Sequence, residues 1–306
     1  MKDGVVKCPM VACSPMDDIA DFSSRAHMNF ITSTLAWFDR DPADCEFFTA
    51  DNCSVNTATA SMANVPLIGC ASHRLALATR EVIKQGGFQD IVNEVALLME
   101  KLTTLKNADK LRNCVATNGL LSIIRNATRW TSDHKMLERF VLLYPHLFTL
   151  NLARDTTILI PNSEGFEQCQ ELLKILKDFY DATISLQKES IDMHDIRCIF
   201  DVLQRLYPAS AKYLAVDAKI VKYPDFENGI VKLQSFREDE LTPAEKGQLK
   251  DFKIDHSSRD AIEDLTQEDN ELTDCHSSRT PRQESPRSST ALIVPPAKPM
   301  YHYQYK

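Results

Sequence analysis

The stretch Phe47 to Ala78, FFTADNCSVNTATASMANVPLIGCASHRLALA, gathers the residue types best suited to chemistry. Asp51 follows a short apolar run, where a carboxylate can project from a strand end and bind a hard cation such as Mg²⁺ through oxygen. The same position also suits a turn carboxylate that accepts backbone N–H bonds. Cys70 and His73 follow a second apolar run, Val65 to Ile68, and could share a soft metal. A structural zinc takes four ligands, and no second Cys-x-x-Cys or His-x₃-His pair follows at usable spacing, so no zinc site is expected. The alternative is a small buried thiol beside a histidine that hydrogen-bonds at a helix start. Further along, RNATRWTSDHKML sets Arg129 beside Trp130. A planar cation next to a large aromatic suits phosphate contact and base stacking, although Trp130 also reads as a core anchor.

These residues need elements to hold them. Strands are predicted over 5–13, 46–50 and 65–69, the first placed near a sheet edge by Pro9. Helices are predicted over 22–38, 54–63 and 71–85, giving an α/β pattern with short strands. Gly86-Gly87 is a stop signal. Beyond it, Phe88, Ile91, Val95, Leu98, Leu102 and Leu105 form one helical stripe over 88–105. Further helices are predicted over 132–144 with Ser132 as N-cap, over 164–187, and over 191–207, where Pro208 ends the run. Thr242-Pro243-Ala244-Glu245 is a capping box with Pro at the first helical position. After residue 255 the apolar period disappears in a Ser/Pro/Arg-rich stretch, which reads as a disordered tail.

Composition narrows the function. The 306 residues are 43% hydrophobic and 25% charged, enough for a real core. A formal charge of −8 argues against indiscriminate nucleic-acid binding. Between Lys101 and Arg139, however, eight Lys or Arg face three Asp or Glu. That stretch reads either as a phosphate-facing surface or as a solvated helix face. Nine cysteines without regular pairing fit reduced thiols in an intracellular compartment. Lys7 and Pro9 interrupt any signal-peptide core, and no apolar run reaches the ~18 residues of a spanning helix. Neither a membrane nor a small-molecule cofactor is expected.

Taken in order, ADNCSVN, then GCASHRLALA, then NATRWTS resemble the hAT superfamily of transposases, over roughly residues 5 to 252. The resemblance implies a partial RNase H-like core over 1–85, a large helical insertion and following helices over 86–254, and the tail over 255–306. The fold class is thus α/β plus all-α. It also implies that Asp51 matches the second catalytic carboxylate, a Mg²⁺ ligand. Cys70 and His73 match the pair beside the active site that contacts DNA near the cut. Trp130 matches the aromatic implicated in holding a flipped base, with Arg129 against the backbone. Arg125 and Lys135 of the same basic stretch join them as DNA-binding candidates.

The family's other two acids have no counterpart here: neither the D-x-W strand nor the S-N-x-x-E-R-x-F-S helix occurs in this sequence. Truncation at both ends is therefore expected. Two Mg²⁺ ions in phosphoryl transfer need several converging carboxylates, and one acid cannot clamp them. The expectation is a catalytically inactive transposase-like protein of the nucleus with residual DNA binding, in which the family's Mg²⁺ no longer functions. Protein partners are expected through the helical region and tail. The alternative is a helical protein-interaction module derived from a transposable element, in the nucleus or the cytoplasm.

Overall fold

The computed structural model describes residues 12, 20–126, 130–188 and 190–250. The predicted strand 5–13 apart from residue 12, Arg129 and the tail 255–306 lie outside them. The helices are α1 (Ser24–Ala36), α2 (Ser54–Ala63), α3 (Ala71–Gln85), α4 (Gln89–Lys101), α5 (Leu105–Arg112), α6 (Trp130–Leu147), α7 (Arg154–Thr157), α8 (Ser163–Ser185), α9 (Met193–Leu206), α10 (Ala211–Leu214), α11 (Pro224–Gln234) and α12 (Pro243–Gln248). Two strands, β1 (Phe48–Ala50) and β2 (Leu67–Gly69), pair in a small parallel sheet with α2 as their crossover. With 66% helix against 3% strand, the structure is mostly helical, and among the described residues its α/β portion is confined to that one βαβ unit.

The chain divides into two compact units. The first runs to Ile68 and resumes at Tyr223. Its core gathers Ile31 and Leu35 of α1, Phe48 and Ala50 of β1, Ala60 and Ala63 of α2, and Val65 and Leu67 beside or on β2. Asn64 ends α2 in the left-handed region at φ 57°, a conformation asparagine tolerates better than most residues. Phe47 packs on Phe226 of α11, their ring centres 6.0 Å apart. The capping box of α12 forms as its sequence specifies: Thr242 Oγ1 accepts from Glu245 N–H, and Glu245 Oε2 accepts from Thr242 N–H. The same carboxylate takes the ammonium of Lys232 at 2.8 Å.

The second unit, Gly69–Lys222, is helical and has its own core. Leu98, Met99, Met136, Phe140, Leu172, Leu176 and Phe179 are fully buried within it. The stop after α3 works through Gly87, which sits at φ 75°, where a side chain would be strained.

Two expectations are corrected in this unit. The predicted helix 88–105 is two helices, with a break at Thr103-Thr104, and Leu105 is 91% exposed rather than part of the stripe. Both threonine hydroxyls bond back to carbonyls of α4, at Glu100 and Lys101, and so satisfy groups the helix end leaves open. Ser132 is not an N-cap: α6 begins two residues earlier, and the Ser132 hydroxyl meets the backbone of Asn126 instead.

Candidate functional site

Asp51 follows β1 directly, and its carboxylate is drawn into the loop that starts α2. Oδ1 accepts the backbone N–H of Cys53 at 3.1 Å and the side-chain amide of Asn56 at 2.8 Å. The Asn56 amide also donates to the Asp51 carbonyl at 3.3 Å. The two ends of the D-N-x-x-x-N pattern are therefore one hydrogen-bonded unit, in which the acid accepts from the turn and fixes the helix that follows. Cys53 completes it: its sulfur accepts from Asn56 N–H at 3.4 Å, in the N-cap position. Burial pushes the Cys53 thiol up and the Asp51 carboxylate adds to the shift, so this sulfur stays protonated at neutral pH. A cavity of about 20 Å³ lies among His27, Phe48, Asn56, Thr59 and Leu67, room for about one water and far too small for a substrate.

Cys70 and His73 belong to the second unit, at the start of α3. Both are half-buried. Cys70 is the N-cap residue but its side chain makes no capping bond.

The neighbouring Arg74 is the residue the sequence reading passed over, and it is 5% exposed. Its Nε donates to the Tyr213 carbonyl at 3.0 Å, and Nη2 to Leu214 and Ala215 at 3.4 and 3.1 Å. These carbonyls end α10, where a cation complements the helix dipole. The guanidinium also lies 5.3 Å from the Phe200 ring centre, and Arg197 of α9 lies 5.7 Å from the same centre. Arg197 in turn donates to Leu214 O at 2.8 Å and pairs with Asp201. Two arginines on one ring thus lock α3, α9 and α10 together. A buried arginine in an apolar stretch was the only available signal for this.

Trp130 begins α6 and is 5% exposed, packed into the helical core of its unit. Its indole is a core group here and is not presented to solvent. Arg125 is engaged within the unit: Nη1 donates to Asn93 Oδ1 at 3.2 Å, and Nε lies 3.9 Å from Asp133 Oδ1. Burial raises the Asp133 carboxyl, while Arg125 and Arg80 work against that rise. Of the other basic residues between 101 and 139, Lys101 pairs with Asp155, Lys110 donates to Asn151 O, and Arg139 donates to Leu121 O. Lys106, Arg112 and Lys135 project into solvent. The basic stretch is thus partly structural glue and partly exposed charge.

No group of three His, Cys, Asp or Glu side chains that could hold a metal ion occurs among the described residues, and no described helix is long and apolar enough to cross a membrane. What the arrangement around Asp51 does chemically is to order a loop and cap α2. Comparison with protein-family models, with characterised proteins and with solved structures gives no match for this chain.

Proposed function

We propose that this chain is a hAT-transposase-like protein that binds DNA without cutting it, its two strands, α2 and α3 corresponding to part of an RNase H-like core, and the helices from α4 onward to that family's insertion and the helices that follow it. The observation that carries the non-cutting part is the Asp51–Asn56 bond. A carboxylate oxygen that accepts from two donors of its own loop is already serving as a structural acceptor, and one acid does not neutralise a two-metal centre. The DNA reading draws on the exposed Lys106, Arg112 and Lys135. Contact of this kind is electrostatic and sequence-tolerant, with Trp130 supporting the fold from inside.

Fluorescence anisotropy with duplex and hairpin DNA at rising salt tests it. The expected result is affinity that falls with the logarithm of salt concentration and is largely lost in a Lys106→Glu, Arg112→Glu, Lys135→Glu triple variant. Salt-independent binding, or none at low salt, would sink the reading.

The second reading is a helical protein-interaction module. The burial of Trp130 favours it, because the aromatic that the resemblance would set against a base is occupied in the core. Nuclear localisation goes with the DNA reading and is equally a proposal.

A further inference from the structure

The second unit carries a groove of about 570 Å³ between one side of α4 and the chain leading into α8. Asp90, Glu94 and Leu97 line one wall, spaced four and three residues apart and so aligned along a single side of α4. The opposite wall is the segment 158–162, with Glu164 and Gln168 from the start of α8. Ile91 and Pro161 are buried at the base. The approach of the two walls depends on Gly165, since a Cβ there would lie 2.9 Å from the Ile91 side chain and 3.0 Å from Pro161. Asn162 fixes the entry to α8 by accepting the Gly165 N–H at 2.9 Å.

Two properties of this groove are unusual together. It exposes aliphatic surface, with Ile158 72% and Leu97 55% exposed. It is also edged by three carboxylates, those of Asp90, Glu94 and Glu164, with no Lys, Arg or His among its lining residues. An aliphatic strip ringed by charge of one sign attracts a ligand of opposite sign that also carries an apolar side chain. DNA has the wrong charge for it. From Asp90 to Leu97 the wall runs about 10 Å along the helix at 1.5 Å per residue, the length of three extended residues or two helical turns. The Glu94 carboxylate is also felt by the buried Cys169 thiol, which burial pushes up to about 12 and Glu94 raises further.

We infer that this groove is a docking site for a short basic segment of a partner protein, seating one aliphatic side chain on Ile158 and Leu97 and presenting Lys or Arg to Asp90, Glu94 and Glu164. The inference goes beyond the DNA reading and does not rest on it, because the residues involved are separate from Lys106, Arg112 and Lys135. Exposed charge pairs are individually weak, so selection comes from the three carboxylates acting together and from the apolar seat.

The test is fluorescence anisotropy on the full chain with a labelled peptide of alternating lysine and leucine. A twin with glutamate for lysine and a neutral twin with serine for lysine serve as controls. The lysine peptide is expected to bind, the twins at least tenfold more weakly. Asp90→Asn, Glu94→Gln and Glu164→Gln together should weaken binding on the order of tenfold and flatten its salt dependence. Ile158→Ser should weaken it several-fold at any salt concentration. Glu171→Gln, an exposed change on α8 outside the groove, should leave it unchanged. All of these side chains are exposed, so each variant should keep the parent melting temperature within a few degrees. Equal binding of the glutamate peptide, or full binding by both the triple variant and Ile158→Ser, would overturn the proposal. Failure of DNA binding with the peptide result intact would remove only the DNA reading.

Discussion

Arg74 stacks its guanidinium over Phe200, 5.3 Å from the ring centre, while its nitrogens hold three consecutive carbonyls at the end of α10. The residue directly after the Cys-x-x-His pair is thus a main fastener of the helical unit. Lysine cannot reproduce a planar fork that stacks and donates in several directions. Arg74→Lys should cost about 2 kcal/mol and Arg74→Met about 3, since buried carbonyls lose their donors. Urea denaturation of the two variants measures this. An unchanged midpoint for Arg74→Met would show that the fastening is incidental.

Trp130 provides a sharper contrast. Its burial predicts that Trp130→Ala destabilises the helical unit by roughly 3–5 kcal/mol, through lost packing and a cavity. Trp130→Phe should retain much of that stability and all of any DNA affinity. Parallel melting curves and DNA titrations of the phenylalanine variant decide the matter: lost affinity with intact stability would mean that the indole reaches DNA after all.

His134 is stacked on Tyr180, ring centres 5.1 Å apart, and its burial lowers its pKa from the ordinary 6.5. The nearby Glu138 and Asp181 oppose that shift, and Lys135 and Lys177 reinforce it. A depressed histidine stays neutral in the fold and takes up a proton more readily when unfolded, so stability is full above 6.5 and declines as pH falls below it. Melting temperature measured across pH 7.5 to 5.5 should show this decline, and His134→Phe should flatten it.

Glu245 behaves in the opposite sense of charge. Burial alone would raise its carboxyl, but the Lys232 ammonium and the Thr242 N–H outweigh burial and hold it below the ordinary 4.5. Its contribution is complete above 4.5 and lost as pH falls through the lowered folded value. Lys232→Met, which strands a carboxylate that is 5% exposed, should lower stability at pH 7 more than at pH 3. A uniform loss at both pH values would contradict the pairing.

Much of this architecture is legible in the sequence, residue by residue. The limits of α2 and α3 follow from their turn residues and apolar period, and the Thr242 capping box forms as written. The strands are shorter than predicted, because an apolar run marks burial and not the few residues that complete the ladder. Leu105 continues a helical stripe on paper, yet the chain breaks at Thr103-Thr104. Periodicity carries no information about a hydroxyl that bonds back and ends the turn. Arg74 was invisible for a different reason: its partners are carbonyls some 140 residues away, and local pattern cannot report a long-range acceptor. At the candidate site the sequence marks the acid, Asp51, at the end of its apolar run. The bond from Asn56 that ties the acid to α2 is a side-chain contact that no local pattern reports.

Asp51 either supports a loop or takes part in a reaction, and the two are separable. The direct measurement is strand cleavage and joining of a labelled hairpin oligonucleotide by the purified chain, with Mg²⁺ or Mn²⁺ and no helper protein, comparing the parent with Asp51→Asn. Neither protein is expected to give product, and the variant is expected to melt at a lower temperature as the hydrogen bond from Asn56 weakens. Metal-dependent product from the parent that vanishes in Asp51→Asn would contradict this expectation.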